Sequence, residues 1–381
     1  MKLSRRNTLS LLGGGVVLAA GIGGFAVTRK PKTALAPWAA AGDYSEPRMK
    51  ALSYAILAPN PHNRQPWLVD LRTEGEVTLY VDQTRLLPYT DPFSRQIVAG
   101  LGCFLELLTL AAAQDGFDVR LDLFPDGEDK NGVDDRRVAV AYFDQRAGLA
   151  EPELFDQILH RRSLKDPYDT TQPIADDTLA AVQGAVVRGS NVNGTTDNAQ
   201  VAALRALTVQ ALETEFATPR TYKESVDLFR IGHREVDANP DGLDFTGPFF
   251  ETLHMTGQFN REKSMDRDGF SYKTGLDMVR ETARSGMGYV WLTSPGNTRA
   301  DQIMAGRDWV RLNLVTSALG LGVQPMSQAL QEFPEMADLY TKAHEMLAPD
   351  GGTVQMLGRL GYGQTPAQSP RWPIERKILN A

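Results

Sequence analysis

Seven consecutive residues, Pro61-His62-Asn63-Arg64-Gln65-Pro66-Trp67, concentrate polar side chains between two prolines. The prolines restrict the backbone on both sides and make the segment a rigid platform. The Asn63 and Gln65 amides each offer a donor and an acceptor, which suits the alternating polar edge of a heterocycle. An ordinary capped turn between a helix and a strand accounts for the same residues. A second cluster, His160-Arg161-Arg162-Ser163-Leu164-Lys165, sets three permanent cations beside a hydroxyl. That chemistry suits a phosphate or another polyanion. A solvated basic helix end, favoured by the helix dipole, would look the same. Arg371 stands in a third motif, Ser369-Pro370-Arg371-Trp372-Pro373, after a segment carrying Arg359 and Gly361.

Other chemistries are not encoded. His62, His160, His233, His254 and His344 are far apart and match no metal-binding spacing. No G-x-S-x-G nucleophile elbow is present. The single cysteine, Cys103, excludes an internal disulfide framework and a multi-cysteine metal centre, and its apolar surroundings predict a buried, inert thiol. Neither a catalytic side chain nor a metal ion is therefore expected. The chain has 381 residues, 42% hydrophobic and 23% charged, the profile of a packed globular protein. A net charge of −7 argues against a nucleic-acid backbone as partner.

Residues 1–36 stand apart. They hold six Lys/Arg and no acid, and the remainder carries 34 basic against 47 acidic residues. Ser4-Arg5-Arg6 precedes an uncharged stretch from Asn7 to Thr28 with six glycines between Gly13 and Gly24. This is the layout of a twin-arginine export signal, and the glycines lower its hydrophobicity and helix propensity. A plain membrane anchor is the alternative, because 22 residues at ~1.5 Å each reach across a bilayer. Ala34-Leu35-Ala36, followed by Pro37, and Ala39-Ala40-Ala41 are candidate cleavage points. The expected location is periplasmic, by way of the twin-arginine export machinery, with the signal cleaved or kept as an anchor. That route carries folded proteins, commonly with a cofactor inside.

The elements that must position the clusters follow from periodicity. Helices are expected over residues 47–58, 97–114, 176–187, 201–217 and 301–319, with a short one starting near Glu151. Strands are expected at 67–69, 77–81, 119–124, 137–143, 289–292 and 356–362. Residues 189–198 read as a loop. Residues 240–275, aromatic and weakly periodic, read as a long irregular lid. The helix led by Arg95 and the one led by Arg307 resemble each other, each lying between strand candidates. Two similar α+β halves packed about a pseudo-twofold axis would explain this, as would two unrelated amphipathic helices.

Taken together, the Asn63-Arg64-Gln65-Pro66-Trp67 run, the basic cluster and Arg371 resemble the nitroreductase superfamily of FMN-binding oxidoreductases. The order of the motifs, with the Asn-x-Gln-Pro-Trp run first, and the double length resemble its Acg-like tandem branch. The resemblance spans residues 43–379. It implies an α+β nitroreductase-like fold of two fused halves, residues 43–150 and 151–381, with a lid at 240–275. It implies a monomer with an internal pseudo-dimer and bound FMN. Arg161, Arg162, Ser163 and Lys165 would contact the ribityl chain, the phosphate and the N1–O2 edge. Asn63 and Gln65 would meet the polar ring edge. Gln324, Pro325, Met326 and Ser327 would lie by the dimethylbenzene side or N5, and Arg371 would close on the phosphate. Arg64 departs from the family pattern. The activity implied is reduction of a small nitroaromatic or quinone, with NAD(P)H a possible donor. The alternative is a flavin-sequestering protein whose lid prevents turnover.

Overall fold

The computed structural model describes residues 29–379. The twin-arginine pair and the uncharged stretch to Thr28 lie outside them. Helix α1 (Pro47–Ala55) leads to β1 (Trp67–Asp70) and β2 (Glu76–Val81); then come α2 (Arg95–Gln114), β3 (Phe117–Leu123) and β4 (Ala139–Gln145). The second half opens with α3 (Asp176–Gln183) and β5 (Asn191–Thr195). It resumes at β8 (Gly288–Ser294) and continues through α10 (Arg299–Ala318), β9 (Gly322–Pro325), α11 (Ala337–Leu347) and β10 (Thr353–Gly361).

The two halves repeat one topology. The first sheet has the order β1-β2-β4-β3 and the second β5-β8-β10-β9, all antiparallel. In each, a long helix connects the second strand to the third. The α+β architecture with fused, twofold-related halves is thus present, and the internal repeat is structural. Helices α2 and α10 pack against each other at its centre. Gly102 lies on Ile303 and Gly306 on Ala99, so close that a Cβ at either glycine would overlap the facing backbone carbonyl. Each glycine pairs with the residue equivalent to the other's partner, as a twofold axis between the helices requires.

The same reciprocity holds at the helix starts. Arg95, 1% exposed, donates to the carbonyls of Leu330 and Gln355 in the second half. Arg299, also 1% exposed, donates to those of Asp129 and Gly132 in the first. The largest hydrophobic cluster runs through both halves, from Leu52 and Trp67 to Val290 and Leu314, and a second cluster lies in the second half. Cys103 sits in it, its Sγ donating to the Gly306 carbonyl at 3.1 Å. Burial pushes that thiol up to about 12, so it is protonated and inert as expected. Helix α2 is long and apolar enough to cross a membrane, but it is the buried core helix of this fold.

Two sequence expectations are corrected. Residues 189–198 contain β5, an edge strand whose small polar residues hide its pairing with β8. Residues 240–275 are not irregular. They belong to an insertion between β5 and β8, where the first half has only the short turn between β1 and β2. The insertion holds α4 (Asn198–Ala217), α5 (Pro219–Asp227), β6 (Phe229–Ile231), α6 (His233–Ala238), β7 (Leu243–Phe245), α7 (Pro248–Met255), α8 (Arg261–Met265) and α9 (Phe270–Arg284). Its aromatics form a small core of their own. Phe245 lies 4.6, 5.0 and 5.1 Å from Phe229, Phe250 and Phe259. Such edge and tilted ring contacts satisfy no helical or strand period, which is why the segment looked structureless in the sequence.

Candidate functional site

The backbone after α1 is bent hard. His62, Asn63 and Gln65 have φ of 48°, 50° and 51°, three non-glycine residues in the left-handed region within four positions. Each such residue costs of order 1–3 kcal/mol and persists only where its surroundings over-determine it. Here they do. Asn60 Oδ1 accepts from Gln65 N at 2.7 Å, and Lys377 Nζ donates to Gln65 O at 2.7 Å. The Gln65 side chain is fully buried, with Nε2 donating to Pro240 O (2.7 Å) and Oε1 accepting from Trp372 N (2.8 Å). Gln65 therefore ties the platform to the insertion at Pro240 and to the C-terminal segment.

Beside this platform three arginines converge. Arg161, 4% exposed, donates to Asn313 Oδ1 (2.8 Å) and to the Leu57 carbonyl (3.1 Å). Arg371, 2% exposed, donates to Asn63 Oδ1 (2.6 Å) and to the carbonyls of Leu57, Ala58 and Pro370. The half-buried Arg162 donates to the Leu159 and Arg161 carbonyls. The Nε groups of all three are buried without an acceptor among the described residues. Burial, reinforced by the neighbouring arginines, lowers Arg161 to about 10 and Arg371 to about 9. Asp244 opposes the shift of Arg371 without forming an ion pair. Buried cations of this kind are costly unless an anion joins them. The unpartnered Nε–H donors of three guanidinium groups in a low dielectric are of the type that suits a phosphate.

Trp38, absent from the sequence reading of the site, walls this cluster. Its ring faces the Arg162 guanidinium at 4.6 Å and that of Arg371 at 5.7 Å. Nothing in its alanine-rich context marked it. Asn313, on α10, was likewise missed.

The other expected residues are distributed as follows. Asn63, Arg161, Arg162 and Arg371 form one cluster. Residues 161–165 are extended, not a helix end, and Leu164 N donates to Val323 O on β9. Ser163 is half-buried and Lys165 exposed. Gln324 joins the same segment through Arg359, which is fully buried. Arg359 Nε donates to Gln324 Oε1 (2.6 Å), and its other nitrogens donate to Ser285 Oγ and the Leu164 and Asp166 carbonyls. Pro325 ends β9, and Met326 turns away into the core beside Leu330 and Phe333. Arg64 faces away from the arginine cluster, donating to the Thr84 and Arg85 carbonyls within 3.7 Å of Asp241. Its charge is structural.

The insertion between β5 and β8 is joined to the platform at several points. Gly242 N donates to Asn63 O, and Asp241 takes ion pairs from Arg85 (2.5 Å) and Arg230 (2.7 Å). His62 Nε2 lies 3.0 Å from Ser225 Oγ on α5. Burial, then the Lys165 and Arg64 cations, lower this imidazole to about 4, so it is neutral at pH 7. Near the start of α5 is Glu215, buried and pushed up to about 7 by burial and by Glu224, against the donor Gln331. The folded state keeps that proton where the unfolded chain has lost it. Stability therefore falls as pH rises from the ordinary glutamate range to about 7. Glu215→Gln should raise Tm at pH 8 and leave it nearly unchanged at pH 5, since the amide is neutral at both pH values, as the buried carboxyl is only at the lower one. An equal shift at both pH values would contradict this account.

The pseudo-twofold gives the arginine cluster a counterpart. Leu57 lies two residues beyond α1, and Ala185 two beyond α3. The Ala185 carbonyl also accepts from an arginine, Arg311. There, however, carboxylates are built in. Glu106, fully buried, pairs with Arg188 (2.8 Å), Arg307 (2.7 Å) and Arg311 (2.9 Å), and Arg311 pairs again with Glu151 (2.6 Å). Burial would raise the Glu106 carboxyl, but Arg307, Arg188 and Arg311 together lower it below the usual range. Its contribution to stability is present above the ordinary glutamate pKa and is lost as pH falls through the depressed one. Glu106→Gln strands buried cations and should cost about 3–5 kcal/mol. Denaturant unfolding at pH 7 checks this, with the deficit shrinking toward pH 3.

No family model matches the chain. It is 23% identical over 332 residues to a nominal NAD(P)H nitroreductase of Mycobacterium tuberculosis, covering 86% of this chain and 88% of that protein. A second nominal NAD(P)H nitroreductase of that organism, acg, is 33% identical over 79 residues, covering 21% of this chain and 24% of that one. Among solved structures, the FMN-dependent nitroreductase NfnB of Mycobacterium smegmatis, in complex with NADPH, matches at 18% identity and TM-score 0.37, over 60% of this chain and 99% of that one. A nominal nitroreductase of Anabaena variabilis matches at 13% identity and TM-score 0.40, over 81% and 82%. Over nearly its whole length, the chain is thus similar in sequence to proteins named as nitroreductases.

Proposed function

We propose that this chain is an exported FMN-dependent oxidoreductase that reduces a small nitroaromatic or quinone acceptor, with NAD(P)H a possible donor. The observation that carries the reading is the convergence of the buried Arg161 and Arg371 with the half-buried Arg162, without carboxylate partners among the described residues, beside the strained Asn63 platform. Sequence similarity to nominal NAD(P)H nitroreductases supports it. FMN, when bound, supplies the two-electron chemistry, and no side chain need act as acid, base or nucleophile. Arg161, Arg162 and Arg371 would hold the phosphate. Asn63 would orient the group, while Gln65 fixes the platform that carries Asn63. Lys165 is the cation left to stabilise a reduced, anionic ring.

A second reading has its own observation. The lid base is fastened to the platform through Gln65, Asn63 and Asp241. A lid held that firmly fits a protein that stores FMN with little turnover.

One experiment separates them. Purified protein is examined by absorbance, then mixed anaerobically with NAD(P)H. Flavin bands that NAD(P)H bleaches support the reductase. Bands that only dithionite bleaches favour storage or another donor. A protein with no flavin bands after reconstitution with FMN refutes both.

A further inference from the structure

The chain enters the fold through the candidate site. Pro31 and Ala34 are buried, and Trp38 is 4% exposed. Lys32 N, Thr33 Oγ1 and Ala34 N all donate to Asp237 Oδ1 on α6, at 2.9, 2.9 and 3.0 Å. Burial tends to raise the Asp237 carboxyl, but these donors hold it below the usual range. Ala34 O accepts from Arg371 N at 2.8 Å, and Trp38 Nε1 donates to Ser369 O at 2.8 Å. The strap therefore fastens to the lid unit at one end. At the other it places an indole against two of the three site arginines. An aromatic face beside a desolvated guanidinium stabilises the cation and fixes its plane.

We propose that residues 31–38 form a permanent wall of the anion site, with Trp38 a positioning residue for Arg162 and Arg371. The working protein therefore retains the chain from Pro31 onward. Cleavage after Ala36 would remove the Ala34–Arg371 and Asp237 contacts, and cleavage after Ala41 would remove Trp38 as well. Of the two alanine-rich motifs that resemble peptidase sites, Ala34-Leu35-Ala36 lies inside the folded wall and Ala39-Ala40-Ala41 directly follows it. A cut releasing the leader falls upstream of Lys32, or the leader stays attached.

The inference rests on the phosphate reading of the arginine cluster, and the test keeps the two apart. The full-length chain is expressed in an exporting host, its N-terminus is determined by mass spectrometry, and FMN and riboflavin dissociation constants are measured. The expected N-terminus is at or before Pro31. A mature chain that starts at Pro37 or Gly42 and still binds FMN overturns the proposal. Trp38→Ala should weaken FMN at least about ten-fold, with Trp38→Phe restoring most of the loss and riboflavin little affected. Unchanged FMN binding in Trp38→Ala overturns it too. If Trp38→Ala does not fold, Asp237→Ala serves instead. It should open the Lys32–Thr33 bond to trypsin and weaken FMN, and an unaltered cleavage pattern counts against the strap. An unmodified protein that binds FMN no better than riboflavin defeats the phosphate reading itself.

Discussion

Arg371→Ala weakens FMN by about ten- to 100-fold while changing riboflavin affinity little. A hydrogen bond to a charged group is worth roughly 1.5–3 kcal/mol, and Nε–H is the Arg371 donor left for a phosphate; each 1.4 kcal/mol is about a factor of ten. The selectivity between the two flavins is the informative quantity, since they differ only in the phosphate. Arg161→Ala should behave similarly. Titration by flavin fluorescence quenching measures both constants. Equal losses for FMN and riboflavin would mean that the substitution had damaged the fold, because Arg371 also fills the carbonyl acceptors of Leu57, Ala58 and Pro370. Unchanged FMN affinity would remove the phosphate from this cluster.

The second large effect lies in the core. Gly306→Val should abolish folding or cost about 4 kcal/mol or more, because the added carbons meet the Ala99 backbone, not a yielding side chain. Gly102→Val should do the same against Ile303. A valine elsewhere in a buried helix forces side chains aside; here two helix backbones must separate, and the interface between the halves opens. Urea unfolding reads the loss directly. A variant with near-parental stability would show that the helices can part without cost, and the tandem architecture would lose its central contact.

Much of this architecture is legible in the chain. Long apolar runs such as 97–114 give the core helices, and alternation gives most strands, because burial on one face imposes a period. The Arg95 and Arg307 helices hinted at the repeat; the true register pairs Arg95 with Arg299, since Thr298 caps a helix that begins earlier than hydrophobicity alone suggests. The regular structure of the insertion escaped, because its aromatic core is built from residues with no common period. At the site, chemical type was readable and role was not. The chemistry of Arg161 and Arg162 pointed to an anion, whereas Arg371 was joined to them only by the resemblance to the nitroreductase superfamily. That Gln65 would be consumed by the lid base and the C-terminal segment, or that Trp38 would face the arginines, depends on contacts across more than a hundred residues, which no local pattern records.

The Glu106 cluster carries a consequence for how such a molecule can change. In a homodimer of identical subunits every substitution occurs twice, so a carboxylate that neutralised one site would neutralise its mate. Joining the two copies in one chain removes that constraint. Here the locus at the Ala185 carbonyl has an internal counter-ion, Glu106, whereas the locus at the Leu57 carbonyl keeps its positive charge uncompensated. The fused chain can thus assign rigidity to one locus and ligand affinity to the other, a division of labour that a symmetric pair cannot inherit.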